Sequence, residues 1–594
     1  MLFRSAASPL CNPTAFARKF ESALLRAAGM TDDSPASAFD LLKAALGGRP
    51  LDGEAIVKAR DALAQAVRLD LAAIPGLEAL IPVCRDLALL GLRDSPQAPA
   101  LSDDPPLGEI LAHCLVAPAF TLTALPALDK LPPPALAMLA ILLLEEPVLW
   151  RHDGEPELYA AHAETVLRLA RQGLQTQAKD PAAAEAAMLI AATTSLGAAM
   201  VSDLPVTGAA RQRAGLIELW LAAQGGALDH KFAASKRKRP RLGLFRTRWE
   251  PSGESGLALS YLEDLKPDGE IIVYSTQPLG QSEPEERVRA LADRVVTLPD
   301  GIGEAVAAIR ADDLDLLLIG HDVTTHLSLP ATLAAFRLAR RQAVTAASPA
   351  APGFTRTDLW LGEDAMPPRE WIPEGLLPVS LTRAELGVPA GRLLIASAAP
   401  MIRLTAELLA CWGFILKKQP NAHLLLYPFD QGWTNHPALP LIEARLRAQL
   451  DIEPADQSRV TLLPPGVSKA GARAVLALAD LYLDAFPWSD PTDLLDPLAV
   501  DLPMALYRGA QPRSRRTSEI DRLYDLPALV ALSPEDYQMM VLSLLASPGD
   551  RAMLRGKAPA CRVRLKERGA LISWRSFPSR VTTSGNRSGH NLDE

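Results

Sequence analysis

The hydrophobic pattern changes character once along the chain. From Pro13 to about Ala234, apolar residues recur at helical spacing: Leu41, Leu42, Ala45 and Leu46; Val166, Leu167, Leu169 and Ala170; Leu216, Ile217, Leu219 and Trp220. That three-and-four spacing marks helices with one buried face. Prolines at 105, 106, 126 and 132–134 punctuate them, β-branched clusters are scarce, and no fixed period defines a repeat array. An irregular all-α domain over 1–235 is predicted, as a scaffold or partner-binding surface.

Beyond the basic run Lys236-Arg-Lys-Arg-Pro-Arg241, short apolar runs alternate with helical stretches. Strands are predicted at Leu242–Phe245, Ile271–Ser275, Arg294–Leu298, Leu314–Gly320 and Gln342–Ala346. Helices Ser255–Leu265, Glu283–Ala292, Ile302–Ala311 and Leu329–Ala339 lie between them. A Pro-rich connector, Met366 to Ala390, precedes a second series. Its strands are Leu393–Ser397, His423–Tyr427, Arg459–Leu463, Leu481–Phe486, Pro503–Tyr507 and Leu529–Leu532. Its helices are Thr405–Lys418, Pro437–Leu450, Lys469–Ala479, Thr492–Val500 and Pro534–Leu545. Alternation of this kind predicts doubly wound parallel sheets. The expected architecture is α/β: two Rossmann-like domains, 236–385 and 386–575, facing a cleft behind the all-α domain, with a disordered tail at 576–594. Ligands of such sheets sit at the carboxyl ends of the strands.

Composition narrows the function. The 594 residues are 48% hydrophobic, which is ample for real cores, and 69 acidic against 61 basic residues give a formal charge of −8. That balance argues against a nucleic-acid or anionic-membrane binder; the basic run reads as a solvated linker into a strand. The longest apolar run, Ala135 to Leu144, is too short for a bilayer, which needs about 20 residues. Five dispersed cysteines form no C-x-x-C pair and fit a reducing compartment, so a cytoplasmic protein is expected.

Several chemistries find no motif. The loop after the first strand of the α/β part lacks G-x-G-x-x-G, and no Walker A or G-x-S-x-G sequence occurs. Gly301-Ile-Gly303 opens a helix after a strand, which a helix N-cap explains equally well. Asp313-Leu-Asp315 has the D-x-D spelling of metal-dependent sugar-nucleotide enzymes but enters a predicted strand, and no histidine pair has ligand spacing, so no metal is expected. The informative stretch is Leu483-Asp-Ala-Phe-Pro-Trp-Ser-Asp-Pro-Thr-Asp-Leu-Leu-Asp496. A strand ends in a polar loop and a helix is predicted from Thr492. The unpaired N–H groups of that helix's first turn would seat a phosphate. Thr492 and Asp493 are equally ordinary cap and first-turn residues.

This stretch resembles the donor loop of glycosyltransferase family 41, the O-GlcNAc transferases and the bacterial adhesin-modifying N-glycosyltransferases. It carries that family's pattern at Leu483-Asp484, Thr492-Asp493, Asp496 and Asp501-Leu-Pro503. The segments Ser397–Thr405, Trp412–Asn421, Arg337–Gly353 and Arg459–Leu483 are similar to further stretches of the family, and the irregular helical front half is similar to the adhesin branch. The resemblance implies a GT-B fold and inverting transfer of a hexose from a UDP-sugar (UDP-hexose or UDP-GlcNAc) to Asn, or Ser/Thr, of an acceptor protein, without a metal. Arg403, Lys469, Thr492, Asp493 and Asp496 would bind the donor. Where the family has histidines in the loop after the first strand, this chain has none between His230 and His321, and Glu250 or Glu254 is the candidate base. A catalytically degenerate member that binds nucleotide or a protein partner is the alternative, and a UDP-sugar enzyme acting on a small molecule or lipid is a third reading.

Overall fold

A computed structural model describes residues 53–71, 74–93, 101, 105–362, 381–436, 438–467, 469–489, 494–515, 529–567 and 572–573. The predicted helical positions Leu41 to Leu46, most of the Pro-rich connector, Thr492, Asp493 and the predicted tail lie outside these residues.

The front of the chain is helical, as the spacing predicts: α1 (Gly53–Leu69), α2 (Leu77–Leu90), α3 (Leu107–Val116), α4 (Pro133–Leu143), α5 (Glu155–Thr176), α6 (Pro181–Thr193), α7 (Gly197–Val201) and α8 (Thr207–Ala223). In α5, Tyr159, Ala163, Val166, Leu167, Ala170 and Leu174 form one buried stripe. Gly154 precedes it in the left-handed region (φ 78°), and Pro156 sits in the first turn, where its missing N–H leaves no bond unmade.

Two parallel sheets follow. The first comprises β1 (Arg241–Phe245), α9 (Gly253–Leu265), β2 (Glu270–Ser275), α10 (Glu283–Leu291), β3 (Arg294–Thr297), α11 (Ile302–Ala311), β4 (Leu316–Ile319), α12 (Leu329–Ala334), β5 (Arg341–Val344) and β6 (Leu359–Trp360). The second comprises β7 (Leu393–Ser397), α13 (Ala406–Lys418), β8 (Ala422–Leu426), α14 (Leu439–Gln449), β9 (Val460–Leu462), α15 (Lys469–Ala477), β10 (Leu481–Leu483), α16 (Leu495–Ala499), β11 (Met504–Tyr507), α17 (Pro512–Arg515), β12 (Val530–Ala531), α18 (Pro534–Ala546) and α19 (Pro548–Glu567). Strand orders are β3-β2-β1-β4-β5-β6 and β12-β11-β10-β7-β8-β9. Both are the doubly wound order, with its switch point between β1 and β4 in one sheet and between β7 and β10 in the other.

The central strands β1, β2 and β4 of the first sheet are buried on both faces, and side-chain alternation divides them between two cores. Leu242, Leu244, Ile271, Val273, Leu316 and Leu318 face one core with α9. Phe245, Ile272, Tyr274, Leu317 and Ile319 face the other, which runs without a break into the helical domain through Leu228, Ile217 and Val201. The second sheet has its own core around Trp412 and Tyr482.

Four expectations need correction. Helix α12 ends at Ala334 rather than Ala339 because tertiary bonds replace helical ones: Arg337 N–H goes to Leu228 O at 2.8 Å and Gln342 Nε2 to Ala334 O at 3.1 Å. Helix α16 begins at Leu495, not Thr492, since an earlier start would place Pro497 in the helix interior, where it lacks the N–H and clashes with the preceding turn. Helix α19 was not predicted, because Gly556 and Pro559 interrupt its pattern. The basic run is more than a solvated linker: Arg237 and Arg340 bracket Asp313 (2.6 and 2.8 Å) and Asp315 (3.6 and 3.4 Å). Those carboxylates are therefore occupied at the amino edge of the first sheet, away from the switch point. Among the described residues no group of three or more His, Cys, Asp or Glu could hold a metal ion, and no helix is long and apolar enough to cross a membrane.

Helix α13 passes so close to the end of α14 that a Cβ on Gly413 would lie 1.7 Å from Leu450 O. Gly413→Ala is expected to destabilise the second α/β domain by about 1–3 kcal/mol or more despite alanine's better helix propensity, read as a lower thermal midpoint. An unchanged or raised midpoint would contradict this packing.

Candidate functional site

The carboxyl ends of the four switch-point strands assemble most of the chemistry. After β1 the chain runs Arg246-Thr-Arg-Trp-Glu250 into α9, whose N-cap Ser252 accepts from Ser255 N–H at 3.2 Å. Glu254 therefore lies in the first turn of α9, where a carboxylate complements the helix dipole. Arg246, 4% exposed, donates to Glu254 Oε2 at 3.1 Å and to Gly320 O at 2.9 Å, and so ties this loop to the end of β4. Glu250 behaves differently: it stands in solvent and pairs at 3.0 Å with the equally exposed Arg248, a contact of little energetic weight.

The residue after Gly320 is His321, and the structure brings it into the β1 loop that has no histidine of its own. Its Nε2 lies 2.8 Å from both the N–H and the hydroxyl of Thr247. A backbone N–H can only donate, so Nε2 is the acceptor and the neutral ring carries its proton on Nδ1. Nδ1 lies 3.8 Å from Glu254 Oε2. Burial, with Arg246 and Arg248 adding to it, pushes the imidazole down to about 3. Next to it, burial raises the Asp322 carboxyl to about 6, although Asp322 accepts from Thr324 and Thr325 N–H at 2.7 and 3.2 Å.

On the second sheet, Arg403 closes a single 3₁₀ turn after β7. Its guanidinium lies 4.1 Å from the ring centroid of Trp488, in the loop after β10, and stacking of this kind fixes the plane of the fork. In the same loop Asp484, 2% exposed, accepts from Ser489 Oγ and from Ala485 N–H. Asp496, in the first turn of α16, has Oδ1 at 2.6 Å from Arg473 Nε in a largely buried ion pair. Lys469 is the first residue of α15. Of the residues singled out in the sequence, Glu254 joins His321 and Arg403 joins the β10 loop, whereas Glu250 faces solvent. In the Arg337–Gly353 segment, Arg337 pairs with Asp358 at 2.6 Å, and Gln342 is fully buried against Ala334 O and Leu338 N–H.

The helical domain reaches both switch points. Leu196 N–H donates to Thr325 O at 2.9 Å, and Trp150 Nε1 donates to Ile402 O, beside Arg403, at 2.6 Å. Arg513 of α17, 2% exposed, donates to Met200 O (2.8 Å), Ser202 O and Leu204 O (2.9 Å). Asp203 accepts from Ala510 N–H at 2.9 Å. Gly509 packs against Pro487 O so tightly that a Cβ there would come within 2.7 Å. At the far end of the chain, Ile572 N–H and Ser573 Oγ bond Asp264 and Asp268 of the first α/β domain.

No protein-family model matches the sequence, and no curated protein matches it. Among solved structures, a mutant of the Thermobaculum terrenum O-GlcNAc transferase is similar over 91% of this chain and 96% of its own, at 19% identity and a TM-score of 0.51. Weaker likenesses, on which nothing rests, are the Anabaena protein HepE in complex with UDP-glucose (12% identity, 56% of this chain and 96% of that one, TM-score 0.33) and an Escherichia coli trehalose-6-phosphate protein bound with UDP-2-fluoro glucose (12%, 55% and 95%, 0.34). The chain has the GT-B fold: a helical region followed by two parallel six-strand Rossmann-like sheets.

The bond from Thr247 N–H to Nε2 makes a definite prediction. In protein labelled with ¹⁵N-histidine, the ring assigned to His321 by comparison with His321→Gln is expected to remain neutral, with its proton on Nδ1, from pH 8 down to pH about 4. A ring that protonates near the ordinary 6.5 would contradict the arrangement.

Proposed function

We propose that the chain is a UDP-sugar-dependent protein glycosyltransferase, moving a hexose or N-acetylglucosamine with inversion to an Asn, or Ser/Thr, side chain of an acceptor protein. The observation that carries this reading is the pairing of two doubly wound sheets in a GT-B fold, with Arg403 at one switch point and the His321–Glu254 pair at the other.

The donor would lie at the ends of β7 and β10. Its diphosphate needs charge stabilisation as the sugar departs. Arg403 and Lys469 would supply it, with the Thr492 hydroxyl as a further donor and Asp493 beside it. Asp496, held by Arg473 through Oδ1, would orient a ribose hydroxyl with its second oxygen. On the acceptor side, Glu254 is the group best placed to take or orient an acceptor proton: it is partly exposed, and Arg246 fixes its direction. His321 is a poor base, because Nε2 is already an acceptor and Nδ1 carries the proton. Its role would be to hold the β1 loop in place for Glu254. Glu250, the second candidate, would first have to leave Arg248.

Calorimetric titration with UDP tests the donor half. Saturable binding is expected, weakened about ten-fold or more in Arg403→Ala and in Asp496→Asn, since loss of a charge-assisted bond costs about 1.5–3 kcal/mol. Intact-mass screening of acceptor peptides with UDP-sugars should then give a hexose or N-acetylhexosamine increment, lost by about 100-fold or more in Glu254→Gln. No binding by the wild type at millimolar UDP would overturn the proposal and leave a partner-binding protein on a transferase fold.

A further inference from the structure

We propose that Arg213, on α8 of the helical domain, is a positioning residue that sets His321, and through it Glu254, at the mouth of the first switch point. The inference rests on the reading of Glu254 and His321 as the acceptor edge. It goes beyond that reading by placing a determinant of that edge in the helical domain.

Arg213 is 2% exposed, and its two hydrogen bonds go to main-chain carbonyls rather than to Glu254 or His321. Its Nη1 donates to Thr324 O at 3.1 Å, across the domain boundary, and its Nη2 donates to Ala191 O at the end of α6, also at 3.1 Å. The loop it grips has little slack. Asp322 Oδ1 caps Thr324 and Thr325 N–H; Val323 N–H donates to Ser348 Oγ at 3.0 Å; Ser348 Oγ donates to His321 O at 3.3 Å; and Thr324 Oγ1 donates to Ala350 O at 3.0 Å. With these bonds made, the height of the Thr324 carbonyl sets where His321 leaves the end of β4, and that in turn sets the 2.8 Å contacts to Thr247.

A buried guanidinium is costly unless its donors and charge are satisfied, so this placement tolerates few geometries. Burial pulls Arg213 down to about 10, and the Asp322 carboxylate acts to keep it charged. The same carboxylate caps the loop, so charge and loop shape are set together. Replacing Arg213 by an apolar side chain of similar length would leave the carbonyls of Ala191 and Thr324 without these donors, and a buried unpaired carbonyl moves to find another.

The test uses full-length protein and reads the His321 ring as well as turnover. The groups facing this ring are Glu254, Arg246 and Arg248 from the β1 loop and α9, Asp322 beside it, and the uncharged Phe245 at a ring distance of 6.4 Å. In Arg213→Met the ring is expected to lose its fixed Nδ1–H tautomer and titrate upward toward the ordinary 6.5. Arg213→Lys, which keeps the charge and can reach one carbonyl, should restore the wild-type signature. Turnover of UDP-sugar to product should fall about 100-fold in Arg213→Met while its KM for UDP-sugar stays within about two-fold, the pattern of a misplaced group rather than a lost binding contact. If Arg213→Met does not fold, Arg213→Gln, which offers one donor and no buried charge, is read in the same way. A folded Met or Gln variant whose His321 spectrum and turnover match wild type would overturn the proposal. Absence of UDP binding in every variant would instead overturn the transferase reading, and the imidazole spectrum would still decide the role of Arg213.

Discussion

Two buried guanidiniums fix the relation between the parts of this molecule. Arg213 and Arg513 both direct their donors into main-chain carbonyls of one stretch of the helical domain, Ala191 to Leu204: Ala191 for the first, and Met200, Ser202 and Leu204 for the second. A guanidinium removed from water holds its partners to a narrow range of positions, because any departure leaves a charge or a carbonyl unsatisfied. Arg213 continues across the boundary to the loop after β4, and Arg513 itself belongs to the α/β domain that carries Arg403. One short segment is thus bonded to both α/β domains.

This explains why the helical domain is not an appendage. Its core is continuous with one face of the first sheet, so the two behave as one packed unit. The second α/β domain has its own core, which takes in Leu149 of the helical region, and it is attached further by directional bonds: Trp150 to Ile402, Arg513 to the end of α7, and Asp203 to the start of α17. The loops these bonds reach pack in turn on the loop after β10, Gly509 against Pro487 and Arg403 over Trp488. Loops over the strand ends carry the candidate residues Arg403 and His321, and a scaffold of helices and strands holds them.

The alternation of strands and helices was legible because parallel strands buried on both faces read as short apolar runs, which is why β1, β2, β4 and β7 fall close to their predicted places. What failed was local pattern overridden by tertiary bonds, as at the end of α12, or by backbone chemistry, as at Pro497. The pairing of Asp313 with Arg237 and Arg340 joins residues far apart in sequence, so the D-x-D spelling could not reveal that both carboxylates were engaged. In the sequence His321 stands out only as the first histidine after His230. In a 3-2-1-4 strand order the residue following β4 lies beside the β1 loop, since those strands are neighbours at the switch point. Arg213 gave no signal, because an arginine on a helix, two residues after Arg211, reads as part of a solvated face.

The central claim is that nucleotide sugar is held at the ends of β7 and β10, across the cleft from His321 and Glu254. A crystal structure of the full chain with UDP tests it most directly. The account predicts nucleotide density over the carboxyl ends of those two strands, with the diphosphate against Arg403 and the start of α15 and the ribose beside Asp496. Nucleotide bound at the β1–β4 switch point, or in the helical domain, with the β7–β10 crevice empty, would contradict it.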